Sequence, residues 1–162
     1  MSEVTAYMNG EFIPNEQAKI DPLDRGFYLG DAVFDIARTY DGRPFKLREH
    51  TERLYRSLKY VRIDPGIDIE EMIAVSEELV SRNESARVEE FGDWYVWQGV
   101  TRGIAATRVD RGPATVLIIT KPVPWLAWGV HYRDGAHAVI TRTRAYPSQS
   151  LDAKIKHYSR MN

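Results

Sequence analysis

The sequence predicts an α+β fold, a mainly antiparallel sheet with helices on one face, and three observations carry that prediction. Short β-prone runs meet at Asn9-Gly10 and again at Asp41-Gly42, a long stretch of helical period follows, and β-prone segments return after it. Strand pairs, then helices, then strands build a two-layer α+β domain rather than an alternating parallel one.

In "AYMNGEFIP" (Ala6 to Pro14), Asn9 and Gly10 both tolerate positive φ, the requirement of a tight hairpin turn. A second hairpin runs from Val33 to Tyr40, turns at Asp41-Gly42 and returns through Phe45 and Leu47. From Arg48 the period changes. Leu47, Leu54, Leu58 and Val61 fall on one helical face, with Glu49 and Glu52 four residues before Arg53 and Arg56. Asp64-Pro65-Gly66 marks the end of that helix, and Asp68 can cap a second one carrying an apolar stripe of Ile69, Met72, Ile73, Leu79 and Val80. Strands follow at Trp94 to Thr101 and Ala114 to Thr120, and a strand pair broken by Asp134-Gly135 is predicted over Gly129 to Tyr146. Between them, "KPVPWLAWG" holds two prolines that disfavour a continuing strand or helix. The predicted organisation is therefore an amino-terminal domain over residues 1–120, a linker over 121–128, and the start of a second domain over 129–162.

Composition narrows the function classes. With 22 Lys+Arg against 23 Asp+Glu, the chain has no global field to attract nucleic acid or an acidic membrane. No run approaches the roughly 20 apolar residues of a membrane span. The start, "MSEVTAYMNG", lacks the basic and apolar regions of a signal peptide, and the absence of cysteine fits a reducing compartment, so a cytoplasmic location is expected. Lack of cysteine also removes disulfides, thiolate catalysis and thiolate metal sites. His50, His131, His137 and His157 fall on four separate elements without the spacing of a helical zinc site, and no metal site is expected. There is no P-loop, and "RGFYLGD" has too few glycines for a dinucleotide loop. A bound phosphate must be held by side chains.

The remaining chemistry rests on lysine, arginine and the aromatic residues. A buried lysine becomes a nucleophile because loss of solvation disfavours its ammonium form. Lys156 lies among Ile155, Tyr158 and Met161, which could wall it off, although a solvated surface lysine has the same local sequence. Lys154 and Lys156 share a face in a strand and nearly oppose one another in a helix, so spacing does not separate them. Arg53 could pair with Glu49 on a solvated helix face or present its planar fork of donors to a phosphate.

Taken together, "NGEFIP", "DRGFYLGDAVFDIARTYDGRPFKLREHTERLYRSL", "YVWQGVTRG" and "IKHYSRMN" resemble the amino-terminal portion of the class IV, or fold-type IV, pyridoxal-phosphate enzymes. That family holds branched-chain and D-amino-acid aminotransferases, (R)-selective amine transaminases and aminodeoxychorismate lyase. The similarity runs in order over nearly the whole chain, and the block from Asp24 to Ser57 is its specific part. By position, the resemblance makes Lys156 the lysine that links covalently to pyridoxal 5'-phosphate, and Arg53 the arginine for its phosphate. Phe34 and Tyr95 correspond to substrate-pocket positions, and the two-residue period of the strand places Trp97 on the face of Tyr95. Branched-chain enzymes carry arginine at the place of Trp97 and (R)-amine transaminases an acidic residue, so tryptophan departs from both. Arg108 lies within about one residue of the carboxylate-binding arginine of D-amino-acid enzymes, and Arg38 could face the same pocket; for both, a surface salt bridge is an equal alternative.

The resemblance implies transamination between an amino acid or primary amine and a keto acid or ketone, in a homodimer whose second subunit lends pocket residues. Two other readings stand beside it. "IKHYSRMN" is close to the lysine segment of the lyase, which releases product without an amino acceptor. A catalytically silent module of the same shape would give no cofactor absorbance band. Family members continue well past the lysine, supplying a carboxylate for the pyridine nitrogen and most of a second domain. Asn162 is accordingly expected not to be the natural end, and the 162-residue chain alone to have little or no activity.

Overall fold

Asn9 and Gly10 take positive φ, 51° and 99°, and join β1 (Thr5–Met8) to β2 (Glu11–Pro14) as an antiparallel hairpin. Asp41 and Gly42 do the same, at 49° and 73°, between β3 (Ala32–Tyr40) and β4 (Arg43–Phe45). These and the later segments come from a computed structural model that describes residues 3–87, 92–104, 112–144 and 146–159. With β5 (Trp94–Thr101) and β6 (Thr115–Pro122) the strands form one six-stranded sheet in the order β2-β1-β6-β5-β3-β4, every neighbouring pair antiparallel. The α+β class read from the sequence is the class found.

Helix α1 is a short turn (Arg25–Leu29) capped by Asp24, whose carboxylate accepts the Gly26 amide. The two long helices cover one face of the sheet. In α2 (Leu47–Val61), Leu54 and Leu58 are buried along with Thr51 and Ser57; in α3 (Ile69–Arg82), Met72, Ile73, Leu79 and Val80 form the buried stripe. The predicted Asp68 cap is present: its side chain accepts the Glu71 amide at 2.8 Å. α2 stops at Val61, ahead of the Asp64-Pro65-Gly66 signal, because Arg62 adopts the left-handed conformation and its amide bonds back to Lys59. These apolar residues pack on Val33, Ala37, Val96, Val100, Val116 and Ile118 of the sheet in one core. Within it Gln98 is satisfied by Thr51 at 3.1 Å and Ser76 at 2.9 Å, linking both helices to β5. A single turn (Glu84–Ala86, α4) follows α3.

The strand pair expected over Gly129 to Tyr146 does not form. Trp125–Asp134 is instead a helix, α5, and no strand occurs among the described residues after it. The Asp-Gly pair that read as a hairpin turn is a helix end: Gly135 alone takes positive φ, 74°, and its amide bonds to the His131 carbonyl. A glycine serves equally well in both roles, so the dipeptide could not choose between them. In the "KPVPWLAWG" stretch, against expectation, a strand does continue and a helix does begin: Lys121 and Pro122 pair with Tyr95 and Trp94 as the last residues of β6, and Pro124 stands directly before α5, where its missing N–H leaves no helix bond unmade. No helix among the described residues is long and apolar enough to cross a membrane.

Candidate active site

Alternation along the central strands divides their side chains between two faces. On β3, Val33, Asp35 and Ala37 turn toward the helices and are buried, while the half-buried Phe34, Ile36 and Arg38 occupy the opposite face. On β5 the same rule sends Tyr95, Trp97 and Gly99 to the face of Phe34, and the register sets Phe34 opposite Gly99, Ile36 opposite Trp97 and Arg38 opposite Tyr95. An aromatic wall results, with the Phe34 and Trp97 ring centroids 6.0 Å apart. Trp128 of α5 meets Tyr95 edge-on at 5.8 Å, and the Arg38 guanidinium lies 3.9 Å from the ring centre of Tyr40 and 4.5 Å from that of Trp125. Arg38 also stands 3.9 Å from Asp93, so it is held within a wall of rings and a carboxylate.

β4 pairs only with residues Arg38 to Tyr40 of β3, and the vacant edge beside Ala32 to Phe34 is taken by the segment from Ile155 to Tyr158. The Phe34 amide donates to the Lys156 carbonyl at 2.9 Å and the Tyr158 amide to the Ala32 carbonyl at 3.1 Å, with Val33 bridging His157 between them. This pairing separates the two lysines that spacing could not. Lys154 lies in a turn in which Asp152 accepts its amide, and it is exposed; Lys156 is the first paired residue, half-buried, and its Nζ sits 4.6 Å from the centre of the Phe34 ring. Ile155 between them points into the core. The Lys156 amide reaches Ser57 Oγ on α2 at 3.4 Å.

Arg53 pairs with Asp35 and not with Glu49. Its Nε is 2.6 Å from Asp35 Oδ2 and its Nη2 2.8 Å from Oδ1, while Glu49 lies beside Lys46 at 3.4 Å. His50 completes the cluster with Nδ1 2.9 Å from Asp35 Oδ1. Burial alone drives the Asp35 pKa up, but hydrogen bonds from Arg53, His50 and the Ile36 amide outweigh it and hold the carboxyl below the ordinary aspartate range. Arg53 is itself 45% exposed and opens onto a cavity of about 550 Å³ lined also by Arg56, Ser57, Tyr60, Lys154 and Ile155. Two guanidiniums, an ammonium and two hydroxyls against the single carboxylate of Asp152 make a donor set suited to a phosphate, and the cavity reaches the residue preceding Lys156. Among the described residues no His, Asp and Glu cluster could hold a metal.

Residues 32–162 match the Amino-transferase class IV family. The chain belongs to that family. As a class IV aminotransferase homologue it is 35% identical over 159 residues to a Methanocaldococcus jannaschii protein provisionally named a branched-chain-amino-acid aminotransferase, a match covering 96% of this chain and 52% of the relative. It is 37% identical over 99 residues to a D-alanine aminotransferase of Staphylococcus haemolyticus, covering 61% of this chain and 33% of that protein. The fold matches the T.th. branched-chain amino acid aminotransferase complexed with N-(5'-phosphopyridoxyl)-L-glutamate, with a TM-score of 0.79 and 26% identity over 97% of this chain and 51% of that one. The chain thus spans about half the length, or less, of these relatives.

Among the residues singled out from this class IV sequence, Phe34, Arg38, Tyr95 and Trp97 share one sheet face, Lys156 joins Phe34 at its edge, and Arg53 lines the cavity behind Ile155. Arg108 lies outside the described residues. One participant escaped the sequence reading. Asp35 could have been found from its strand, because alternation places it on the helix-facing side between Val33 and Ala37, where a carboxylate needs a cation. Tyr158, named from the sequence only as part of a wall around Lys156, has a ring that meets both Phe34 and Trp97.

Proposed function

We propose that this chain carries the lysine and the phosphate-binding arginine of a pyridoxal 5'-phosphate-dependent aminotransferase that moves an amino group between an amino acid or primary amine and a keto acid or ketone. The observation that carries this reading is the placing of Lys156: half-buried, paired along β3, its amine over the Phe34 ring, and one residue from a cationic cavity walled by Arg53. The names of the relatives favour transamination over the lyase reaction.

Arg53, fixed by Asp35, would hold the cofactor phosphate, with Arg56 and the Ser57 and Tyr60 hydroxyls at hand in the same cavity. Bound there, pyridoxal 5'-phosphate supplies an aldehyde that condenses with amines and a ring that accepts electrons. Lys156 Nζ would hold the cofactor covalently and, as a free amine, would take the proton from the substrate carbon and deliver it to the carbon that was the cofactor's aldehyde, the transfer that moves an amino group. Phe34, Tyr95 and Trp97 orient the substrate substituent and keep water from the reacting carbon, and Arg38 offers a charge for a substrate carboxylate at the same wall. In this reading residues 1–120 form the amino-terminal domain, 121–128 the link, and 129–162 the start of the cofactor-binding domain, in a cytoplasmic homodimer.

The test is borohydride reduction after loading with pyridoxal 5'-phosphate, followed by peptide mapping. A pyridoxyl group on Lys156 supports the proposal; a group on Lys154, or none, defeats it. Product release that does not depend on a keto acid or ketone would favour the lyase instead.

A further inference from the structure

An apolar cavity of about 230 Å³ lies on the aromatic side of the sheet, bounded by Ile20, Phe27, Leu117, Gly99, Trp97 and Tyr158. Phe34 does not line it, although the Phe34 ring is the surface on which the Lys156 amine rests. Two of the cavity walls meet Phe34: the Trp97 ring at 6.0 Å and, nearer, the Tyr158 ring. The Tyr158 centroid is 5.2 Å from that of Phe34, and the ring stacks on Trp97, 5.6 Å away and inclined by 20°.

The sequence makes a specific seat for this ring. A Cβ at position 99 would collide with both the Tyr158 hydroxyl and the Trp97 ring, so only glycine lets the two aromatic side chains lie against the backbone of β5. Tyr158 is fixed from the other end by its amide bond to Ala32. Burial, and next the carboxylate of Asp24, raise its pKa, so the hydroxyl remains a neutral wall.

We propose that Tyr158 is a specificity-determining residue: seated over Gly99 and stacked on Trp97, it closes the apolar cavity off from the Lys156 amine and so limits the size of the substrate substituent. This rests on the proposed aminotransferase function and extends it to a residue that does not line the phosphate cavity. Substituents that reach no further than the Phe34 ring fit in front of Tyr158; longer apolar ones need the space behind it. Burial of each further methylene strengthens binding roughly fourfold, so opening the cavity to three of them is worth well over tenfold.

The holoenzyme is compared with its Tyr158→Ala and Tyr158→Phe variants, using alanine, valine, leucine and phenylalanine as amino donors. Tyr158→Ala should raise kcat/KM for phenylalanine relative to alanine by at least about tenfold, mainly through KM, while Tyr158→Phe, which keeps the ring, should leave that ratio within about twofold. An unchanged ratio in folded, cofactor-loaded Tyr158→Ala overturns the proposal. If that variant fails to fold, Tyr158→Leu takes its place. Gly99→Ala, which unseats the ring, should shift the ratio in the same direction. A second readout needs no turnover. Propylamine through hexylamine are titrated against the tryptophan fluorescence of each protein, with Trp97→Phe as the control. Hexylamine should gain at least about tenfold in affinity on Tyr158→Ala, and equal affinities reject the role of Tyr158. Failure to load the cofactor on Lys156 would instead defeat the aminotransferase reading, and the amine titration would still decide the role of Tyr158.

Discussion

Arg53 and Asp35 meet in a two-point ion pair, Nε to Oδ2 at 2.6 Å and Nη2 to Oδ1 at 2.8 Å, with the carboxylate fully buried and the guanidinium 45% exposed. The asymmetry decides what each deletion costs. Arg53→Ala leaves a charge buried with only His50 and one amide as partners, and breaking such a pair costs about 3 kcal/mol. The folded-state pKa of Asp35 is depressed, so the stability it contributes is present above the unfolded aspartate value and lost as pH falls through the lower folded one. Without Arg53, burial pushes that pKa upward and the variant gains from protonation instead. The stability gap between wild type and Arg53→Ala, measured by urea unfolding, should therefore be smallest near about pH 3 and widen toward about pH 6. A gap that stays constant across this range would contradict the account.

The same pair predicts that Arg53→Lys is not conservative. Arg53 spends two nitrogens on Asp35 and still has donors facing the cavity, whereas one ammonium must choose between carboxylate and phosphate. Under the proposed function, the preference for pyridoxal 5'-phosphate over unphosphorylated pyridoxal should drop by about tenfold in Arg53→Lys. Spectrophotometric titration of both aldehydes checks it, and an unaltered preference would remove Arg53 from the phosphate site.

Legibility in the sequence followed the range of the interaction. The Asn9-Gly10 and Asp41-Gly42 turns and the Asp68 cap are set within four residues, and each formed where the sequence placed it. Asp134-Gly135 is equally local but serves two turn geometries, and which one forms depends on whether the preceding residues wind into a helix, as Trp125 to Asp134 do. The partner of Arg53 was hidden for another reason: Glu49 is nearer in sequence, but Asp35 lies under α2 in a strand eighteen residues earlier, and the buried two-point pair outcompetes a solvated one. The separation of Lys154 from Lys156 needed the vacant edge of β3, a property of the assembled sheet that no local pattern carries.

Arg102 links the end of β5 to the end of α2. Its guanidinium bonds Asp31 at 2.6 Å and donates to the carbonyls of Val61 and Arg62 at 2.8 and 3.0 Å, satisfying groups that a helix end leaves unpaired. Arg102→Ala should cost about 2 kcal/mol and speed amide exchange in the last turn of α2 more than in α3. Equal acceleration in both helices would show that the loss is global and that Arg102 does not act as a cap.

Asn83 ties the end of α3 to the sheet and is fully buried. Its Oδ1 accepts the Thr5 amide at 2.8 Å, and its Nδ2 donates to the Thr5 carbonyl and to Thr120 Oγ1, both at 2.9 Å. The side chain thus acts as a short piece of strand, pairing with the start of β1 where, among the described residues, no neighbouring strand reaches Thr5 on that side. Asn83→Ala strips three buried partners at once, and with each orphaned group costing about 1 to 3 kcal/mol the variant should lose about 3 kcal/mol after water enters the gap. Asn83→Asp keeps the acceptor for the Thr5 amide but sets a carboxylate against the Thr5 carbonyl, so it should be at least as damaging at neutral pH and recover partly in acid, where a protonated carboxyl can donate. Urea unfolding of the two variants at about pH 4 and pH 7 distinguishes lost hydrogen bonds from lost volume: an Asp variant as stable as wild type at neutral pH would mean that shape, not bonding, is what Asn83 contributes.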